Sequence, residues 1–182
     1  SQGSHFRMPV YEHYSDEQLA AAARDEDHQA WEALIRRHGQ RLLAFYARMS
    51  GDEALARELW VQAWGELWKL RGTLAGGGRV ATALFSLAAR TAVRVVVGGG
   101  FRPPHGDPSS LEVRSECLRQ ALLAVPARSR AALCLCYLDS LSFEEAARCL
   151  GCGPGEAKQL CADGYASLAQ HLGPGFLDAG LA

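Results

Sequence analysis

The chain has 182 residues, 48% of them hydrophobic and 21% charged, and 19 Lys and Arg against 20 Asp and Glu give a formal net charge of −1. That is the balance of an ordinary folded globular protein; it excludes a disordered chain and is not the composition of a strong nonspecific nucleic-acid binder. The longest apolar run, around Val93 to Val97, is far too short to span a bilayer, and no secretory signal precedes the first helix, so a cytoplasmic protein without a membrane span is expected.

Ser1 to Arg7 reads as an expression-vector remnant, with Met8 as the native start. Ser15 with Gln18 forms a capping box for a first helix that runs to about Arg24. Asp27 caps a second helix that carries Trp31, Leu34, Ile35, Leu42 and Phe45 on one face. Gly51-Asp52 separates it from a third, in which Leu59, Ala63 and Leu67 alternate with Trp60, Trp64 and Trp68. Gly72 and the run Gly76-Gly77-Gly78 precede a fourth helix from about Val80 to Val97. The stretch from Gly98 to Ser110 has the Gly and Pro content of a linker. Helices follow over Leu111 to Leu123 and, after Pro126, over Ala127 to about Leu138. No segment alternates apolar and polar residues long enough for a strand. The expected class is therefore all-α: one domain over 8–97, a Gly/Pro linker over 98–110, a second domain over 111–172 and a tail over 173–182.

The last two helices carry the most informative pattern. Ser142 and Glu145 form a second capping box, Ala146, Ala147 and Leu150 recur at helical spacing, and Gly151 suits the left-handed residue that ends a helix. Pro154 then fits the first turn of a new helix. Helix, short Gly turn and helix make a helix-turn-helix, whose second helix enters the major groove of DNA.

Six cysteines raise the question of a metal or redox site, and Cys149 and Cys152 do have a two-residue separation. The second half of a zinc site is missing, so buried thiols acting as small hydrophobes are expected and no cofactor is assigned. Nor does any nucleophile with a nearby base, phosphate loop or carboxylate pair argue for an enzyme.

Three blocks of the first domain carry a family resemblance: Asp16-Glu-Gln-Leu, Asp25 to His38, and Ala56-Arg-Glu-Leu-Trp-Val-Gln-Ala-Trp-Gly-Glu-Leu-Trp. Leu122-Leu-Ala-Val-Pro-Ala-Arg-Ser-Arg-Ala-Ala-Leu, Leu141-Ser-Phe-Glu-Glu-Ala-Ala and Gly151 to Lys158 continue it in the second. In that order and spacing the chain resembles the small extracytoplasmic-function group of bacterial RNA polymerase sigma factors, from Ser15 to Leu172. The resemblance implies that the first domain docks on core RNA polymerase and opens the minus-ten element, while the second reads the minus-thirty-five element as duplex. An anti-sigma factor is a further implied partner. By the same analogy Glu58, Gln62, Trp64 and Trp68 would face the polymerase. Arg79, Arg90 and Arg94 fall on one stripe of the fourth helix, with no acid between Arg79 and Arg102, and suit the phosphates of a melted strand. Glu156, Lys158 and Gln159 would contact the duplex.

The chain also departs from that family. Where members usually carry Trp, Arg, Arg, Asn and Asp along the fourth helix, it has Ala83, Ser86, Ala89, Arg90 and Arg94; the customary Asp-Leu-Val-Gln-Glu becomes Glu58-Leu59-Trp60-Val61-Gln62. From Pro154 to Leu172 a single Lys stands against Glu156 and Asp163. Weak DNA binding by the second domain alone is expected, compensated by tethering to the polymerase. The alternative is a sigma-like interaction protein, a decoy for an anti-sigma factor or the polymerase, that has lost promoter recognition.

Overall fold

The computed structural model describes residues 10–74, 79–96, 100–106, 110–173 and 176, and every regular element among them is helical. The Gly76 to Gly78 break, Val97, Gly98 and most of the tail lie outside the described residues. After a 3₁₀ turn over Val10–His13 come α1 (Asp16–Arg24), α2 (His28–Ser50), α3 (Glu53–Lys69), the single turn α4 (Arg71–Leu74) and α5 (Val80–Val95). The second half holds α6 (Leu111–Ala124), α7 (Ala127–Leu133), α8 (Phe143–Leu150) and α9 (Pro154–Leu172). None of these helices is long and apolar enough to cross a membrane.

Helix starts follow the sequence. The Ser15–Gln18 box forms in both directions, at 2.8 and 3.2 Å, and Asp27 accepts from the backbone N–H groups of Gln29 and Ala30 at 3.0 and 3.1 Å. Two ends differ. The fourth expected helix, α5, stops at Val95 and is preceded by the extra turn α4. The helix expected to reach Leu138 leaves the α pattern at Cys134, and Cys134–Leu138 form a wider π turn in which the Asp139 N–H donates to the Cys134 carbonyl at 2.9 Å. Ser140 follows at φ 59°. The turn leaves the Asp139 side chain 2% exposed, between Arg41 and Arg48 of α2 at 3.9 and 3.5 Å.

Leu34, Leu42, Phe45, Tyr46, Met49, Leu84 and Phe85 form the centre of the core, and the same buried cluster runs on into Ala131, Cys134, Leu135, Ala146 and Cys149. The helices before and after the expected linker therefore share one apolar interior, with α8 packed on α5 and α6 and α7 packed on α2. Each large side chain so buried contributes about 1.5–3 kcal/mol.

Two glycines are required by close approach. Gly51 ends α2 at φ 68°, and a Cβ there would meet Leu123 Cδ1 of α6 at 2.5 Å. Gly164 sits mid-helix in α9, where propensity alone counts it as a defect of roughly 1 kcal/mol. It is buried against α7, and a Cβ would lie 2.9 Å from Leu133 Cδ1 and 3.1 Å from the Ser129 carbonyl. Gly164→Ala should accordingly destabilise the fold by about 1–3 kcal/mol in chemical denaturation rather than stabilise it.

Burial pushes the Asp139 carboxyl up to about 6, with Arg48 and Arg41 pulling it the other way. An acid whose folded value is raised favours the fold in its protonated form, so this contribution is complete at low pH and is lost as pH rises through about 6. Asp139→Asn does not titrate. Its stability relative to the natural chain should rise between pH 4 and pH 7, by on the order of 1–3 kcal/mol, in denaturation curves taken across that window.

Candidate nucleic-acid and polymerase interfaces

The helix-turn-helix is built as its residues dictate. Ser142 accepts from the Glu145 N–H at 3.2 Å while the Glu145 carboxylate accepts from the Ser142 N–H at 3.0 Å. Gly151 closes α8 at φ 64°, and the Cys152 N–H returns to the Ala147 carbonyl at 2.9 Å. Ala146, Ala147 and Cys149 are buried on one side of α8, and Ala157, Cys161 and Gly164 on the inner side of α9.

The outer side of α9 presents Glu156, Lys158 and Gln159, all exposed. Glu156 pairs with Arg128 of α7 at 3.2 Å, and Gln159 donates to Asp163 at 2.7 Å. The acid nearest the start of α9 is thus partly neutralised by a neighbouring cation, which lowers the net negative charge expected of this surface from the sequence.

Arg90 and Arg94 are exposed along α5, as expected of the stripe. Arg79 differs: its guanidinium pairs with Glu145 of α8 at 2.9 Å. The Glu145 carboxylate is held below its usual range first by the Ser142 backbone bond, then by Arg79 and Thr82. One member of the expected stripe is thereby tied to the helix-turn-helix itself.

Along α3 the four proposed polymerase contacts separate. Glu58 and Gln62 are exposed and hydrogen-bonded to each other at 3.1 Å, with Val61 beside them 62% exposed. Trp64 is only 5% exposed, edge-on to Trp31 at 5.4 Å, so it belongs to the core rather than to a partner surface. Trp68 is half-buried, between the His28 ring at 4.9 Å and the Arg71 guanidinium at 4.3 Å. Trp60, a departure from the family pattern, donates its indole N–H to the Gly39 carbonyl at 2.8 Å, and Gly39 leaves room for its ring. Helical period alone could not separate these rings, because four-residue steps keep Trp60, Trp64 and Trp68 on one broad stripe.

Sequence reasoning missed two further features. One is a groove of about 330 Å³ lined by Leu118, Leu122, Leu133, Tyr137, Leu138, Tyr165 and Leu168, an apolar surface on the second half. The other is Arg130, fully buried, whose guanidinium donates to the carbonyls of Leu123 at 2.6 Å, of Val125 at 3.0 Å and of Met49 in α2. The six cysteines are free thiols, and no group of three or more His, Cys, Asp or Glu among the described residues is arranged to hold a metal. Burial pushes Cys134 and Cys136 up to about 12 and raises Cys149 and Cys161, the opposite of what a nucleophilic thiol needs.

The fold thus defines an all-helical protein that ends in a helix-turn-helix. Residues 115–168 match the family model for Sigma-70, region 4. RNA polymerase sigma factor CarQ of Myxococcus xanthus is 30% identical over 166 residues, covering 82% of this chain and 93% of that protein. The ECF RNA polymerase sigma-E factor of Escherichia coli K12 is 27% identical over 173 residues, covering 81% and 88%. Among solved structures, CnrH in complex with the cytosolic domain of CnrY superposes with a TM-score of 0.69 at 20% identity, over 90% of this chain and 97% of that one. The sigma factor RpoE in complex with the anti-sigma factor NepR from Bartonella quintana gives 0.61 at 20% identity, over 78% and 95%. The chain belongs to the extracytoplasmic-function group of the sigma-70 family of RNA polymerase sigma factors.

The sorting of α3 is open to direct measurement. Trp64→Ala should cost about 3–5 kcal/mol in chemical denaturation, while Gln62→Ala should stay within about 0.5 kcal/mol of the natural chain.

Proposed function

We propose that this chain directs RNA polymerase to a set of promoters and starts transcription there, in the bacterial cytoplasm. The observation that carries this reading is whole-chain likeness to sigma factors, 30% identity across 82% of the chain, combined with an intact helix-turn-helix. Its first half, residues 8–97, docks on core polymerase through the exposed face of α3, where one apolar side chain, Val61, stands exposed beside Glu58 and Gln62. Trp68 contributes from the edge of that face.

Arg90 and Arg94 of α5 hold the phosphates of the melted strand, joined by Arg79, the residue before α5, when it leaves Glu145; Glu156, Lys158 and Gln159 of α9 meet the duplex. The favourable term at α5 is counterion release, which makes it dependent on salt. Because α9 carries little net charge, tethering through the polymerase supplies most of its occupancy on DNA. An anti-sigma factor is a second protein partner, of the kind seen with RpoE in its solved complex.

Reconstitution with core polymerase tests the reading. The natural chain should yield specific transcripts and open complexes at promoters upstream of its own gene. Arg90→Ala with Arg94→Ala should lower open-complex yield about tenfold or more at physiological salt and flatten its dependence on salt, leaving affinity for core polymerase unchanged. Core binding without open complexes by the natural chain would favour the decoy instead.

A further inference from the structure

Helix α9 has a nearly bare outer side. Gly155, Gln159, Ala162 and Ala166 recur there at steps of four, three and four, all exposed, opposite the buried Ala157, Cys161 and Gly164. At about 100° per residue, Glu156 and Lys158 fall on the two flanks, and Gln159 points directly away from the buried side. A Cβ at Gly155 would meet no atom within 4 Å, so the room this glycine leaves faces outward. Small neighbours let the helix approach a surface closely, and of the four outer residues Gln159 alone carries hydrogen-bonding groups in its side chain.

The Gln159 amide is not free to turn. Its Nε2 donates to the Asp163 carboxylate at 2.7 Å, one turn further along. The reverse rotation would set the amide oxygen against that carboxylate, two acceptors facing each other. One N–H is thereby spent inside the chain, and one N–H with one C=O is left to face outward. Glu156, on the same flank as Asp163, is held by Arg128 at 3.2 Å, and Arg128 also donates to the Leu150 carbonyl at 3.2 Å. Both acids of this flank therefore have partners within the chain.

Base edges in the major groove differ in what they ask of such an amide. Adenine offers an acceptor at N7 and a donor at N6, which one N–H and one C=O match. Guanine offers two acceptors, N7 and O6, and calls for two N–H donors. A glutamine with both amide hydrogens free can supply either pattern. Gln159 cannot supply the second, because Asp163 holds one of the two. Cytosine and thymine each offer a single polar group and would use half of the amide. The N-terminal part of the second helix is where a helix-turn-helix meets base edges, and Gln159 is the sixth residue of α9.

On the sigma-factor reading above, we propose that Gln159 selects one A·T pair in the minus-thirty-five element through adenine N6 and N7. Asp163 is its positioning residue: it turns the amide toward the adenine pattern and against that of guanine. Lys158 and Arg128, on either flank, are left to the phosphates.

Selection by reconstituted holoenzyme tests this. A promoter library randomised through the minus-thirty-five element, joined to the minus-ten region upstream of the chain's own gene, is sorted by open-complex formation. The natural chain should favour one adenine over each other base by about tenfold, and 7-deazaadenine at that position should remove most of the preference. Gln159→Ala should bring the four bases there within about twofold of one another, with affinity for core polymerase unchanged. Asp163→Ala removes an acid, so open complexes on all sequences should rise, yet the preference for adenine over guanine should fall about threefold or more. Asp163→Asn, whose carbonyl still accepts from the amide, should restore most of that discrimination. A purely structural or electrostatic role for Asp163 would move the yield on all sequences alike and leave the adenine-to-guanine ratio unchanged, and that result overturns the positioning role. A selected element indifferent to Gln159→Ala, or to the deaza base, overturns adenine recognition while leaving the sigma-factor reading intact. A natural chain that binds core polymerase and selects no sequence would overturn both.

Discussion

The buried guanidinium of Arg130 is the interaction on which the arrangement depends. It receives no carboxylate; its donors go to carbonyls at the ends of α2 and α6, where unpaired C=O groups gather at the negative ends of two helix dipoles. Burial pulls its proton affinity below the ordinary guanidinium value, yet an arginine stays charged in a protein. The cation must therefore keep these carbonyls close, and doing so fixes α2 against α6 and α7. Gly51 is bound by the same constraint, for Leu123 occupies the space that any side chain there would need.

From that junction the other contacts follow in order. The π turn after α7 aims Asp139 at Arg41 and Arg48, and the capping box that starts α8 aims Glu145 at Arg79. Both acids thus serve the structure of their own segment and the contact between halves at once. The aromatic cluster of Trp31, Trp64 and Trp68 fixes α2 against α3, leaving Glu58, Val61 and Gln62 outward.

Local chemistry was readable from the sequence wherever a residue acts on its own neighbourhood. Ser15, Asp27, Ser142 with Glu145, and Gly151 all cap the helices they were expected to cap, and the all-helical class followed from periodicity. What could not be read depends on residues distant in sequence. Nothing in the local sequence sets Arg130 apart from Arg128, and the approach of α2 is what buries it. Trp64 and Gln62 sit two positions apart, and which of them faces outward is set by Trp31. Gly164 reads as a weak point in α9 and is instead the place where α7 comes close. The departures along α5 read as lost DNA contacts, but Ser86 also serves as a seat for Cys149.

The buried guanidinium that joins α2 to the end of α6 is open to direct measurement. Arg130→Met keeps a long side chain and removes every donor, and should lower stability by about 2 kcal/mol or more in chemical denaturation. A change within about 0.5 kcal/mol would contradict the role given to Arg130.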